Sequence, residues 1–237
     1  MSFCEDVTER VEGFLDGDYE VVETSVIPAP KDVPHGNVAK KLRAAVLTID
    51  LRDSTGLLEV HQRQTAGKIH KAFLHVCARA VNHYGGYIRS FRGDGLLALW
   101  PADDDGCSKA VRAAMTMKWF LSDRLAKDFA QYRELDCGIG IDVGDVFVVR
   151  AGVAGDANDN DLVFLSTAVN YSVHVAEQAK GSSNIEICTH VYDELPDEDK
   201  YVTKNGVRTD IWGSGSVVWR GNVHSTRLTS YHYSHGC

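Results

Sequence analysis

Two aspartates stand where carboxylates can converge on a hard cation. Asp50 ends the apolar run of AAVLTIDLRDST (44–55). Asp94 lies inside YIRSFRGDGLLALW (87–100), where two short apolar runs meet at Gly93-Asp94-Gly95. A carboxylate at the end of a buried strand and another in a tight hairpin turn can share Mg²⁺ or Mn²⁺. Nucleotide enzymes hold metal in this way, through one or two carboxylates plus the substrate's own phosphates. Both residues also read as turn aspartates, since Asp-Gly is a strong hairpin signal, and spacing alone leaves both readings open.

The elements that must position these carboxylates are legible in the pattern around them. Ala44–Leu51 is nearly all apolar, as a strand covered on both faces would be. Asp53-Ser54-Thr55-Gly56 reads as a turn that doubles as a helix N-cap. Leu57 to His83 carries Leu58, Ile69, Phe73, Val76, Cys77 and Ala80 at helical spacing and stops at Gly85-Gly86. Tyr87–Arg92 and Leu96–Trp100 form a hairpin, and a helix runs from Ser108 to about Phe129. Leu135–Ile141 and Val146–Arg150 are expected as a second strand pair, turning at Asp142-Val143-Gly144-Asp145. Ala154–Asn160 is a polar loop, and Thr167–Ala179 a helix. Asn184–Cys188 is a strand, and a β-rich tail follows. The order predicts an α+β, ferredoxin-like fold: a β-α-β-β-α-β core plus C-terminal strands, with helices packed on one face of a mostly antiparallel sheet.

Before this core stand residues 1–41, a leader with an expected short acidic helix over 3–16, a weak strand at Tyr19–Ile27 and a loop broken by Pro28, Pro30 and Pro34. The division is thus a leader or arm (1–41) and one domain (42–237). The chain has 237 residues, 44% of them apolar and 24% charged, with a net charge of -8. That balance suits a soluble domain with a sizeable core and argues against a general nucleic-acid binder, which carries a basic face. No apolar stretch is long enough to span a membrane, and the acidic start has no signal-peptide pattern. The six cysteines are scattered without metal-like spacing, as in a cytoplasmic protein with reduced thiols.

Four blocks, LTIDLRDST, GGYIRSFRGDGLLALW, CGIGIDVGDVFVVRAGVAG and TAVNYSVHVAEQAKGSSNIEIC, occur in order over about 190 residues from Leu42 onward. Together they resemble the class III nucleotide cyclase catalytic domain. The resemblance implies an in-line attack of a ribose 3′-oxygen on the α-phosphate of a nucleoside triphosphate, expelling pyrophosphate. It implies two ions per site, Mg²⁺ or Mn²⁺, held by Asp50 and Asp94, with the Leu51 carbonyl completing the shell. The backbone N–H groups of Asp53, Ser54 and Thr55 would take the β- and γ-phosphates. Asn170 matches the family's ribose-orienting asparagine, and Arg220 a late lysine that contacts the terminal phosphates. A homodimer with two shared sites follows, because half of each site comes from the partner chain. Arg52 faces either phosphate or a surface acid, and Arg220 also reads as a sheet-edge charge.

Three departures narrow the substrate. Four residues after Asn170 the family places an arginine on the α-phosphate; here His174 stands there, offering one hydrogen bond when protonated or serving only as a surface histidine. At the two base-selecting positions stand Ser90 and Val163, which carry neither the adenine-reading nor the guanine-reading pair. The whole pattern, with its proline-containing leader, DLRDST and the tail WRGNVHSTRLTSYHY, is most similar to the pyrimidine nucleotide cyclases of bacterial Pycsar anti-phage systems. Those make cyclic UMP or cyclic CMP, which a separate effector reads. The resemblance thus implies UTP or CTP as substrate. Alternatives are an adenylate or guanylate cyclase with atypical base contacts and a non-catalytic nucleotide-binding module of the same fold. Asp142 and Asp145 read as turn formers. His224, His232, His235 and Cys237 near the chain end read as incidental polar residues rather than a zinc site.

Overall fold

The computed structural model describes residues 2–132, 135–153, 159–182 and 184–234. In chain order, its first elements are α1 (Phe3–Asp16), β1 (Glu20–Glu23), β2 (Val38–Leu51), α2 (Ser54–Val60), α3 (Arg63–His83), β3 (Tyr87–Arg92) and β4 (Gly95–Pro101). Then come α4 (Gly106–Trp119), a π-helical turn (Phe120–Arg124), α5 (Ala126–Ala130), β5 (Cys137–Gly152), β6 (Asn160–Leu165), α6 (Thr167–Gln178) and β7 (Ile185–Cys188). The chain closes with α7 (Thr189–Glu194), α8 (Asp197–Lys200), β8 (Tyr201–Lys204), β9 (Val207–Asp210), β10 (Gly213–Trp219) and β11 (Asn222–Thr229). The polar stretch 154–158 and the tail residues His235 and Cys237 lie outside the described residues.

The main sheet runs β10-β11-β7-β5-β2-β4-β3, with β1 added to the start of β2 and β6 to the second half of β5; β8 and β9 pair separately. Its inner four strands, β5-β2-β4-β3, are antiparallel throughout. With α3 and α4 on one face they make the expected β-α-β-β-α-β core. Alternation along β2 explains its apolar run. Ala45, Leu47, Ile49 and Leu51 join Phe73, Cys77, Ala110 and Val111 in one cluster. Ala44 and Val46 join Leu97, Leu99, Val146 and Val148 on the opposite face, since successive side chains point to opposite sides.

That second face is covered by α6, an addition to the one-sided helix layer the sequence predicts. The Thr48 and Ser172 hydroxyls meet at 2.9 Å, and Gly138 and Gly140 of β5 lie under the helix backbone. A Cβ at Gly138 would collide with the Ala176 carbonyl oxygen, and one at Gly140 with that of Ser172. These glycines let helix and sheet approach closely. The leader contributes too: β1 runs parallel to Val38–Lys41, and Ile27 and Val33 are buried in the α6-side cluster. α1 carries a Ser2–Glu5 capping box and buries no residue.

Three expectations are corrected. β5 is one continuous strand through Asp142–Asp145, where the sequence reads as a turn. Its residues Cys137–Val148 pair with Lys40–Leu51 of β2 without interruption; a turn at Gly144 would strip the first half of β2 of its ladder partner. The helix expected over Leu57–His83 is broken, because His61 and Gln62 adopt extended backbone between α2 and α3. The helix expected to reach Phe129 likewise ends at Trp119 and continues through the π turn into α5. Among the described residues no helix is long and apolar enough to cross a membrane.

Substitution at the sheet glycines tests this packing. Gly138→Ala should destabilise the protein by about 3 kcal/mol, because neither the helix backbone nor the strand can yield to a methyl group. Gly67→Ala in α3, where a Cβ meets nothing within 4 Å, should stabilise it by up to about 1 kcal/mol. Urea midpoints at unchanged m-value would report both.

Candidate active site

Asp50 and Asp94 meet because two local constraints act on the β3–β4 hairpin. Arg92 pairs with Gly95, leaving Gly93-Asp94 as a two-residue turn, and Gly93 takes φ 60°, a backbone conformation that glycine adopts freely. Asp50 in turn pairs with Gly95 across β2 and β4. A Cβ at Gly95 would strike the Ile49 carbonyl oxygen and stand 3.0 Å from an Asp50 carboxylate oxygen. The Gly-Asp-Gly sequence therefore serves a turn on one side of Asp94 and a close approach on the other.

The electrostatics of the pair are unfavourable as they stand. Burial, then the charge of Asp94 and a hydrogen bond to it, push the Asp50 carboxyl up to about 6; Arg52 lowers it in part and Glu177 raises it further. Thr48, Asp50, Arg92, Gly95, Val173 and Glu177 are among the walls of an adjoining cavity of about 180 Å³. A carboxylate whose charge is destabilised by burial and by a facing aspartate suits a divalent cation, and oxygen donors suit Mg²⁺ or Mn²⁺.

The neighbouring corner differs from expectation at Arg52. Its guanidinium turns away from solvent and donates to the carbonyls of Ala176 (2.5 Å) and Ala179 (2.6 Å) at the end of α6. It faces neither phosphate nor a surface acid. Favourable contact between a cation and helix-end carbonyls is the physical reason. Leu51 is the last residue of β2 and pairs with Cys137. Asp53 caps α2 in the left-handed conformation, φ 49°, and Ser54 and Thr55 open that helix. The Asp53 carboxylate lies against Gly56, 2.6 Å from where a Cβ there would sit.

Ser90 pairs with Leu97 beyond a bulge at Arg89; register and alternation put it on the sheet face that bears Thr48 and Asp50. Val163 is exposed on β6 opposite Val149, roughly 35 Å from Asp50 along the β2–β5 ladder. His174 bonds through Nε2 to the Val218 carbonyl of β10 (2.8 Å), with Nδ1 3.8 Å from Glu177. Arg220 sits in the Arg220-Gly221 hairpin turn at φ 50°, its guanidinium 4.6 Å from the Trp219 ring centroid. Trp219 in turn packs on Tyr171 of α6. The chain thus gathers Asp50, Asp94 and Ser90 on the β4 side of α6 and His174 and Arg220 on its β10 side, with Asn170 exposed on the helix between them. Sequence reading missed Glu177 as a cavity wall; Arg92, a candidate from the sequence to replace the missing α-phosphate arginine, lines the same cavity. Glu177 stands seven residues after Asn170, two helical turns along the same stripe, which was the available signal.

The raised pKa of Asp50 has a consequence for stability. The folded state holds the Asp50 proton more tightly than the unfolded chain, whose aspartates titrate near 3.9. The associated stability is present below about pH 4 and is lost as pH rises through about 6. In chelator at pH 7.5, Asp50→Asn should therefore raise stability by about 1 kcal/mol, after discounting for partial exposure. Thermal melts should show a gain of a few degrees that vanishes by about pH 4.

No family model matches the chain. Among curated proteins, a uridylate cyclase of Burkholderia cepacia is 31% identical over 218 residues, covering 90% of this chain and 91% of that protein. One of Xanthomonas perforans is 30% identical over 231 residues, covering 95% and 92%. One of Rhodovulum sp. (strain MB263) is 26% identical over 220 residues, covering 90% and 89%. Among solved structures, the guanylyl cyclase Cya2 superposes with a TM-score of 0.67 at 22% identity over 81% of this chain and 94% of that one. The adenylyl cyclase CyaB from P. aeruginosa gives 0.66 at 18% identity over 81% and 95%. These two share the fold.

Proposed function

This chain belongs to the uridylate cyclase family, and we propose that it converts UTP to 3′,5′-cyclic UMP and pyrophosphate. The observation that carries the proposal is identity of 30% or more to uridylate cyclases over nine-tenths of each chain. The juxtaposed carboxylates of Asp50 and Asp94 support it. The reaction joins the ribose 3′-oxygen to the α-phosphorus and breaks the bond to the pyrophosphate leaving group. The 3′-hydroxyl proton is lost on the way.

Asp50, Asp94 and the Leu51 carbonyl would hold two divalent ions, Mg²⁺ or Mn²⁺. Bound there, such ions supply a lowered 3′-hydroxyl pKa and neutralise the triphosphate. The backbone N–H groups of Asp53, Ser54 and Thr55 hold the β- and γ-phosphates. Two copies of the chain form a homodimer, and each lends the other Asn170 to orient the ribose and Arg220 to grip the terminal phosphates with its forked donors. His174 serves the α-phosphate through Nδ1, because Nε2 is committed to Val218. Ser90 and Val163, at the two base-selecting positions, present no purine-reading pair, which favours a pyrimidine. In this reading the enzyme works in the cytoplasm, and its product is read by a separate effector in anti-phage defence.

Incubation of the purified protein with Mn²⁺ and each ribonucleoside triphosphate in turn should give cyclic UMP from UTP by chromatography. Cyclic CMP alone would move the substrate to CTP; cyclic AMP or GMP as the main product would overturn the base assignment. Asp50→Ala and Asp94→Ala should each lower turnover by at least about 10³-fold while melting as folded proteins. Full activity in either would end this mechanism.

A further inference from the structure

A second group of metal-binding side chains lies away from the Asp50–Asp94 pair. Asp142 of β5, Cys188 at the end of β7 and His190 in the first turn of α7 each offer one ligand atom, all within 4.8 Å of one another. The parallel pairing of Ile141 with Ile187 brings Asp142 and Cys188 side by side on the sheet face under α6. The chain enters α7 at the next residue, Thr189, and two residues after Cys188 the His190 Nε2 contacts an Asp142 carboxylate oxygen. Asp142 and Cys188 are 3% and 1% exposed, whereas the His190 side chain is about half exposed, so the cluster has an approach from solvent. Asp142 pairs with Val46 of β2 and Asp50 with Gly138 of β5, so the two places are four residues apart along the ladder, roughly 13 Å.

An independent observation concerns Tyr171 of α6. It is 5% exposed, and its hydroxyl is a buried polar atom without a hydrogen-bond partner among the described residues. Burial first, then the nearby Cys188, Asp142 and Glu186, push the Tyr171 hydroxyl pKa upward, which sets this residue in the neighbourhood of the same cluster. An ordinary buried ion pair accounts for Asp142 and His190 and leaves this hydroxyl unexplained. A buried group of this kind costs stability unless water or an ion's ligand satisfies it. The remaining neighbours are committed: Glu194 is held by Arg43 and accepts from the Cys107 thiol at 3.4 Å. A nucleophilic role for Cys188 does not fit, because burial and Asp142 hold the thiol protonated.

We propose that Asp142, Cys188 and His190 bind a single zinc-class divalent ion, with a water bound to the Tyr171 hydroxyl as fourth ligand. One thiolate, one imidazole and one carboxylate form a donor set for a borderline ion such as Zn²⁺ and a poor one for Mg²⁺ or Mn²⁺. Binding forms metal–sulfur, metal–nitrogen and metal–oxygen bonds and releases to solvent the Cys188 thiol proton and the proton between His190 and Asp142. The Val143 backbone N–H, 2.8 Å from an Asp142 carboxylate oxygen, already orients that ligand. The ion clamps β5, β7 and α7 together beneath α6. The inference stands on these residues alone and is independent of the proposed cyclase chemistry.

Cobalt(II) titration of the chelator-treated full chain tests it, because only a thiolate ligand gives a sulfur-to-cobalt charge-transfer band. The oxygen ligands of Asp50 and Asp94 cannot produce one. The expected result is a band saturating near one equivalent, reversed by Zn²⁺, present in Asp50→Asn and absent in Cys188→Ser. His190→Ala, at a half-exposed position, should weaken cobalt binding about tenfold or more. No band in the unmodified protein, a band that survives Cys188→Ser, or unchanged affinity in His190→Ala would overturn the site.

Discussion

The strand β2 is hydrogen-bonded along both edges, to β4 over Ala44–Asp50 and to β5 over Lys40–Leu51, while both of its faces are packed under helices. A strand so enclosed must be apolar nearly throughout, and it has no freedom to slip, since a shift of one residue would exchange its two faces. Asp50 lies where this constraint ends. It is still in register with Gly95 and half removed from water, yet at the strand's mouth. Any carboxylate there pays a desolvation cost, and the hairpin that completes the ladder delivers a second one beside it.

α6 is the other positioning device, and it is tied to the same corner from two directions. The glycines of β5 let its backbone settle onto the sheet, and the Thr48–Ser172 contact fixes it laterally. Arg52, between Leu51 and Asp53, closes its last turn. The guanidinium that looks available for phosphate is thereby an internal tie. It links the end of β2 to the helix that carries Asn170 and His174, so the carboxylate corner and the helix keep a fixed relation.

The pairing of Asp50 with Asp94 is electrostatically frustrated, and the frustration is built from elements that are individually well satisfied. The ladder pairs its backbone groups, the turn has its glycine, and the core is continuous. The unfavourable term is confined to two carboxyl groups beside a small cavity. Groups held against their own preference by an otherwise consistent fold are the mark of a functional site rather than of poor packing.

Much of this was legible in the sequence. The apolar run to Asp50, the Gly-Asp-Gly hairpin and the alternation of strands and helices are local patterns, and local patterns are written in consecutive residues. They determined the ferredoxin-like core and the juxtaposition of Asp50 with Asp94 before any coordinates. The sequence alone misread Asp142–Asp145 as a turn, because Asp and Gly favour turns unless a partner strand claims their backbone, and that partner, Lys40–Ala44, is about a hundred residues away. For the same reason Arg52 read as facing either phosphate or a surface acid until α6 arrived beneath it. Asp142, Cys188, His190 and Tyr171 had no visible relation until β5, β7, α7 and α6 were stacked. The sequence by itself determined which elements form and which carboxylates meet through neighbouring strands. Only the tertiary structure decided which polar side chains close helix ends, which are buried and which face one another, because those outcomes depend on contacts between segments that no spacing along the chain records.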